Sequence, residues 1–104
     1  MNPEVSRQID ATLKELFQQI DTLDRDEIDL EMSDGKFVVE FDDGVKLIVS
    51  RQSAADQIWL AEPSGGWHYS WRGGEWIDDK RGTTLRGDLA ELISGRVGEP
   101  VSLE

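Results

Sequence analysis

Between residues 28 and 77 the sequence alternates apolar and polar residues, and short turns interrupt the alternation. A period of two is typical of half-buried strands, and Asp34-Gly35 has the composition of a two-residue hairpin turn. The pattern recurs in six segments, centred on residues 28–32, 37–41, 45–50, 57–61, 67–71 and 75–77. Because such short connections join antiparallel neighbours, the sequence predicts an antiparallel sheet of about six strands.

Amphipathic helices are predicted on both sides of this block. Asn2-Pro3-Glu4 is typical of a helix start, and an apolar stripe then recurs at helical spacing to residue 23. Thr84 is a suitable cap for a second helix, whose stripe contains Leu85, Leu89, Leu92 and Ile93. The predicted fold class is α+β, a two-layer sandwich in which both helices pack on one face of the sheet. We expect a single domain covering residues 1–104, with the other sheet face open to water.

The charge of the chain limits its partners. The 104 residues carry a net charge of -11, from 22 acidic and 11 basic side chains. This balance disfavours nucleic acid and favours cations and basic protein surfaces. There is no cysteine, which excludes disulfides and thiol chemistry. Without a signal segment or an apolar run of membrane-spanning length, we expect a cytoplasmic protein with no membrane contact.

The most acidic stretch runs from residue 21 to residue 31. Six of these eleven residues carry a carboxylate, and only Arg25 opposes them. Carboxylates suit Fe²⁺, Fe³⁺ and other divalent cations, but no histidine or cysteine lies among them to make a selective transition-metal site. A calcium-binding EF-hand loop is excluded, because Asp29 stands where that loop requires glycine. The residues themselves leave open whether this is a binding surface or a solvated acidic face.

Trp59 is a candidate for a protein contact on the open face of the sheet, and His68 is predicted on the same face as a polar surface residue. If Ile58 and Leu60 face the helices, Trp59 points to the opposite side. Alternatively, Arg51 or a neighbouring strand covers the indole. His68 is the only histidine, and nothing near it in the sequence forms a catalytic set with it.

Several segments together resemble a known family. They are Ser50-Arg51-Gln52, Gln57-Ile58-Trp59-Leu60-Ala61, Gly66-Trp67-His68-Tyr69, Glu75-Trp76-Ile77 and Val101-Ser102-Leu103. With Asn2-Pro3 at the start, the chain resembles the frataxin family, specifically its bacterial CyaY-type members. The resemblance covers essentially the whole chain and implies the same sandwich of two helices on an antiparallel sheet.

The resemblance also implies a function in iron handling and iron–sulfur cluster assembly. It implies weakly bound iron, Fe²⁺ or Fe³⁺, and contacts with a cysteine desulfurase and a cluster scaffold protein. The metal-binding residues would form an acidic ridge of Asp21, Asp24, Asp26, Glu27, Asp29 and Glu31. The partner face would contain Ser50, Gln52, Gln57, Trp59 and His68.

The functional expectation is a regulator or adaptor without enzymatic activity that is monomeric in the absence of iron. Relatives often carry carboxylates in the last turns of the first helix, where this chain has Gln18, Gln19 and Thr22. One alternative is a ferroxidase or iron-storage protein, which would need two metals held at defined geometry. The other is an acidic adaptor that binds a basic protein and no metal.

Overall fold

The computed structural model describes residues 2–103, one residue short of the expected domain at each end. Within that range the predicted order of helix, six strands and helix is confirmed. The elements are α1 (Pro3–Asp21), β1 (Ile28–Ser33), β2 (Lys36–Phe41), β3 (Lys46–Gln52), β4 (Gln57–Glu62), β5 (Gly65–Arg72), β6 (Glu75–Asp78) and α2 (Leu85–Val97). A short 3-10 turn, Ser53–Ala55, connects β3 to β4.

The six strands form one antiparallel sheet in which each strand pairs with the next in the chain. Both helices pack on the same face, so the predicted two-layer sandwich is confirmed. The opposite side is hereafter the open face. Since side chains alternate between the two faces of a strand, the pairing register assigns each strand residue to the core or to the open face.

The core lies between the helices and the inward side of the sheet. Its buried apolar side chains come from both helices and from strands β2 to β6. Those of α1 are Ile9, Leu13, Leu16 and Ile20, all 2% exposed or less. Burying a side chain of this size contributes about 1.5–3 kcal/mol, so the stripe holds α1 firmly on the sheet. Leu103 is also buried, so the C-terminal tail packs against the same core.

The first helix ends two residues before the predicted boundary at residue 23. The backbone N–H of Leu23 donates to Ile20, and the Thr22 hydroxyl donates to the Gln19 carbonyl over 2.7 Å. Asp24 then adopts φ 49°, a left-handed conformation that turns the chain away from the helix axis. Leu23 still packs against the core, and for that reason the apolar stripe extended past the helix.

Met32 lies on the helix side of β1, as the alternation of residues 28–32 predicts, but it is not buried there. Its side chain is 43% exposed, although its paired neighbour Phe37 is fully buried. β1 is one of the two edge strands, and no further strand pairs with its outer side. Alternation in the sequence shows which side a residue faces, but coverage depends on the neighbours of the strand.

A polar network joins α2 to the sheet. The Tyr69 hydroxyl donates to Asp88 over 2.6 Å, and the Arg81 guanidinium contacts Asp88 at 2.9 Å and Asp78 at 3.0 Å. Burial, then the bond to Asp88, raises the pKa of Tyr69 above its usual range. The guanidinium of Arg81 also lies 3.8 Å over the ring of Trp67. These contacts fix the start of α2 against β5.

Candidate functional site

The acidic ridge follows the end of α1, the connection after it and strand β1. Asp21 is the last helical residue, Asp24 and Asp26 lie in the connection, and Asp29 and Glu31 lie on β1. Asp29 pairs with Glu40 and Glu31 pairs with Val38, which places both β1 carboxylates on the open face. The ridge is therefore continuous along one edge of the sheet.

Part of the ridge borders a shallow cavity of about 150 Å³ at the edge of the sheet. Asp21, Asp24 and Asp29 line it together with Arg25. Across residues 2–103, the structure contains no group of three or more histidine, aspartate or glutamate side chains arranged to hold one metal ion. The carboxylates share a surface without converging on a point, so the surface suits loosely held cations or a basic partner.

Arg25 is the counter-ion within the ridge. Its Nε–H donates to Glu27 over 2.6 Å, and a guanidinium nitrogen lies 3.3 Å from Glu99, just beyond α2. The hydrogen bonds to Glu27 and then Glu99 raise the pKa of Arg25. Glu27 is therefore already paired, whereas the other five ridge carboxylates make no hydrogen bond or ion pair with any residue of the described range.

The five residues of the partner face lie together on the open face. Ser50 pairs with Trp59, and Trp59 pairs with His68, so the three form one row across β3, β4 and β5. Gln52 and Gln57 form the neighbouring row. Trp59 is half-buried and His68 is exposed. Three strand spacings, about 14 Å, separate Trp59 on β4 from β1. The β1 carboxylates of the ridge and the partner face therefore lie on the same side of the sheet.

The cover on Trp59 comes from the adjacent strand. The imidazole of His68 stacks on the indole with ring centroids 4.2 Å apart. The alternative that Arg51 covers Trp59 is wrong, since Arg51 pairs with Ile58 in the sheet and therefore lies on the helix side. There its guanidinium contacts Asp10 of α1 at 2.6 Å.

The amides of the partner face are held by neighbours. Gln52 donates to the Ser50 hydroxyl over 3.3 Å, and Gln57 accepts the Trp59 Nε1–H over 2.8 Å. The Nε2–H of Gln57 donates to Asp79 over 2.7 Å. The sequence did not single out Asp79, because it follows the last strand and belongs to no periodic pattern. The sequence also did not single out Glu99, because its contact with Arg25 joins residues 74 positions apart.

The match to a known family decides the affiliation of this chain. The model of the frataxin-like domain matches residues 3–99. The chain belongs to the frataxin family. The family resemblance read from the sequence is thereby confirmed.

Two curated frataxin relatives are similar over most of the chain. The iron-sulfur cluster assembly protein CyaY of Thioalkalivibrio sulfidiphilus is 37% identical over 97 residues, covering 90% of this chain and 91% of that protein. The protein of the same name from Paraburkholderia phymatum is 36% identical over 94 residues, covering 90% and 89%.

Solved frataxin structures share the fold. Frataxin from Psychromonas ingrahamii superposes with a TM-score of 0.90 at 28% identity, covering 100% of this chain and 99% of the other. Trimeric frataxin from the yeast Saccharomyces cerevisiae, complexed with ferrous iron, has a TM-score of 0.72 at 28% identity, with 95% and 89% covered.

No helix within residues 2–103 combines the length and apolar character that a membrane span requires.

Proposed function

We propose that this frataxin is an iron-binding regulator of iron–sulfur cluster assembly that acts without catalysing a reaction. The CyaY proteins to which it is 36–37% identical are named for iron-sulfur cluster assembly, and this similarity supports the assignment most strongly. The partners in this proposal are the cysteine desulfurase that supplies sulfur and the scaffold on which clusters form. The site of action is cytoplasmic.

The open face supplies the docking geometry. The ridge residues Asp29 and Glu31 face the same side of the sheet as Trp59, and five ridge carboxylates have no pairing partner within the described residues. A net charge of -11 attracts a basic surface and accelerates encounter with it. Trp59 then fixes the orientation, because a large, half-exposed aromatic side chain is typical of binding hot spots.

Iron is cargo in this proposal. Hard carboxylate oxygens suit Fe²⁺ and Fe³⁺, and other divalent cations compete for the same ligands. Since the ridge carboxylates do not converge, affinity arises mainly from the summed negative potential and falls as salt screens it. Loose binding lets the metal pass to the assembly machinery.

The decisive experiment reverses Asp24, Asp26 and Asp29 to Lys and measures capture of the desulfurase at two salt concentrations. We expect the triple variant to lose the enzyme and the wild type to lose it progressively with salt. Reversal of Glu4, Glu75 and Glu91, which lie away from the ridge, changes the net charge equally and should retain more binding. Full capture by the ridge variant would refute docking through the ridge.

A metal-free acidic adaptor is the second candidate. It is favoured by the absence of a convergent ligand group among residues 2–103. Anaerobic titration with Fe²⁺, followed by amide NMR, separates the candidates. Shifts confined to the ridge support iron binding, whereas an unperturbed spectrum together with desulfurase binding supports the adaptor.

A further inference from the structure

Asp79 lies directly after β6, outside both the ridge and the partner face. Its carboxylate ends a hydrogen-bond chain that begins at Trp59. The indole Nε1–H donates to Gln57 Oε1 over 2.8 Å, and Gln57 Nε2–H donates to Asp79 Oδ2 over 2.7 Å. The second carboxylate oxygen, Oδ1, accepts the Ser70 hydroxyl over 2.8 Å.

The chemistry of the chain's two ends fixes the amide between them. An indole nitrogen only donates a hydrogen bond, and an ionised carboxylate only accepts. Gln57 satisfies both when its oxygen faces Trp59 and its nitrogen faces Asp79. The reversed amide would set donor against donor and acceptor against acceptor. Asp79 and the indole together therefore fix the orientation of Gln57, and the amide anchored on Asp79 holds the indole in position.

The backbone of Asp79 supports Trp59 from a second direction. Its N–H donates to the His68 carbonyl over 3.1 Å, and the His68 ring stacks on Trp59. The guanidinium of Arg72 lies 3.6 Å from the Asp79 carboxylate. Asp79 thus supports Trp59 in two ways, through the hydrogen-bond chain and through the stacked ring of His68.

We propose that Asp79 is a positioning residue that holds Trp59 in its docking orientation. The inference rests on the proposed function, in which Trp59 contacts the assembly machinery. A side chain ordered before binding loses less conformational entropy on docking. Its indole N–H is already paired with Gln57, so burial against a partner leaves no unsatisfied donor.

The test moves the negative charge of the hydrogen-bond chain from position 79 to position 57. Asp79→Asn replaces the charged acceptor with an amide that can turn either its oxygen or its NH₂ group toward Gln57, and Gln57→Glu places two carboxylates against each other. In the double variant, the new carboxylate at position 57 would accept from the indole and from the new amide at position 79. The oxygen of that amide would accept from Ser70. The double variant restores the hydrogen-bond chain and carries the same single negative charge at these two positions as the wild type. Rescue would therefore depend on the hydrogen-bond pattern.

Two readouts are used with the intact protein. The first is the indole ¹H–¹⁵N resonance of Trp59, which should move in both single variants and return in the double variant. The second is affinity for the complex of cysteine desulfurase and scaffold from the same organism. Each single variant should bind about fivefold more weakly and the double variant within about twofold of wild type. Glu91→Gln on α2 removes one charge from the opposite layer and should change neither readout.

Three results would overturn the inference. They are an unmoved indole resonance in Asp79→Asn, unchanged affinity despite a moved resonance, and a double variant no better than the singles. If the wild type itself does not bind the complex, the docking function falls together with this inference. If the wild type binds and Asp79→Asn binds equally well, only the inference falls.

Discussion

The imidazole of His68 stacks on the indole of Trp59, with ring planes inclined by 11° and centroids 4.2 Å apart. This pair lies on the side of the sheet away from the helices, where a folded monomer gains little from burying an aromatic ring. Trp59 itself is half-buried, and its one polar atom is already paired. The arrangement combines an ordered aromatic ring with partial exposure, which is typical of a binding anchor.

Replacing Trp59 with Ala should therefore separate binding from folding. We expect affinity for the complex of desulfurase and scaffold to fall at least about tenfold, the usual effect of removing a hot-spot aromatic residue. Calorimetric titration measures the loss, and a thermal melt verifies that the variant folds. Met32→Ala shortens an exposed apolar side chain on the helix side of β1 and should leave affinity unchanged. Equal affinity of the Trp59 variant and wild type would exclude the anchor role.

Arg25→Gln should make the acidic ridge more repulsive. Glu27 and Glu99 lose their shared counter-ion, so the melting temperature should fall at low ionic strength and recover with salt. Millimolar Mg²⁺ or Ca²⁺ should raise the melting temperature of this variant more than that of wild type. Arg7→Gln removes the same charge from a more exposed ion pair with Glu4, near the start of α1 and away from the ridge, and is the control. Equal cation responses of both variants would contradict a specific effect at the ridge.

Asp78 should make stability depend on pH in the acidic range. Its side chain is 3% exposed. Burial raises the pKa of Asp78, but hydrogen bonds from the backbone N–H groups of Arg81 and Lys80 and from the Arg81 guanidinium outweigh burial, so the net pKa is lowered. A carboxyl with a lowered folded-state pKa stabilises the protein above its unfolded pKa of about 4 and loses that contribution as pH falls through the folded value.

Asp78→Asn should accordingly lower the free energy of unfolding by about 1–2 kcal/mol at neutral pH. The difference from wild type should shrink as the pH falls below about 4. Urea unfolding across this pH range measures both quantities. A gap between wild type and Asp78→Asn that persists at low pH would show that charge plays no part.

The start of α2 offers a test of competing local effects. Thr84 accepts the N–H of Gly87 over 3.0 Å, and a Cβ at Gly87 would lie 2.9 Å from that hydroxyl oxygen. Thr84→Ala should cost about 1 kcal/mol through loss of the cap. Gly87→Ala alone should be nearly neutral, because about 1 kcal/mol of helix propensity is offset by displacement of the cap.

In the Thr84→Ala background the conflict disappears, and Gly87→Ala should stabilise by about 1 kcal/mol. Chemical denaturation of the four proteins gives the coupling between the two positions. Strictly additive effects would show that the hydroxyl and the new methyl group do not compete.

Much of the fold was predictable because it depends on local periodicity. The alternation of β2, Phe37, Val39 and Phe41 inward, reflects one covered face, and the stripe of α1 reflects another. Tight turns then leave an antiparallel order as the economical arrangement. The exposure of Met32 was not predictable, since a strand's place at the sheet edge depends on the whole assembly.

The candidate site also combines features that the sequence shows with contacts that only the folded structure shows. The order of residues was enough to show which side chains carry charge, that Trp59 opposes Ile58 and Leu60, and that the ridge lacks histidine. The folded molecule was needed to show that Glu99 holds Arg25, that His68 covers Trp59, and that Asp79 orients Gln57. Periodicity follows from the backbone geometry of a single element, whereas these contacts join residues whose proximity arises only when separate elements pack together.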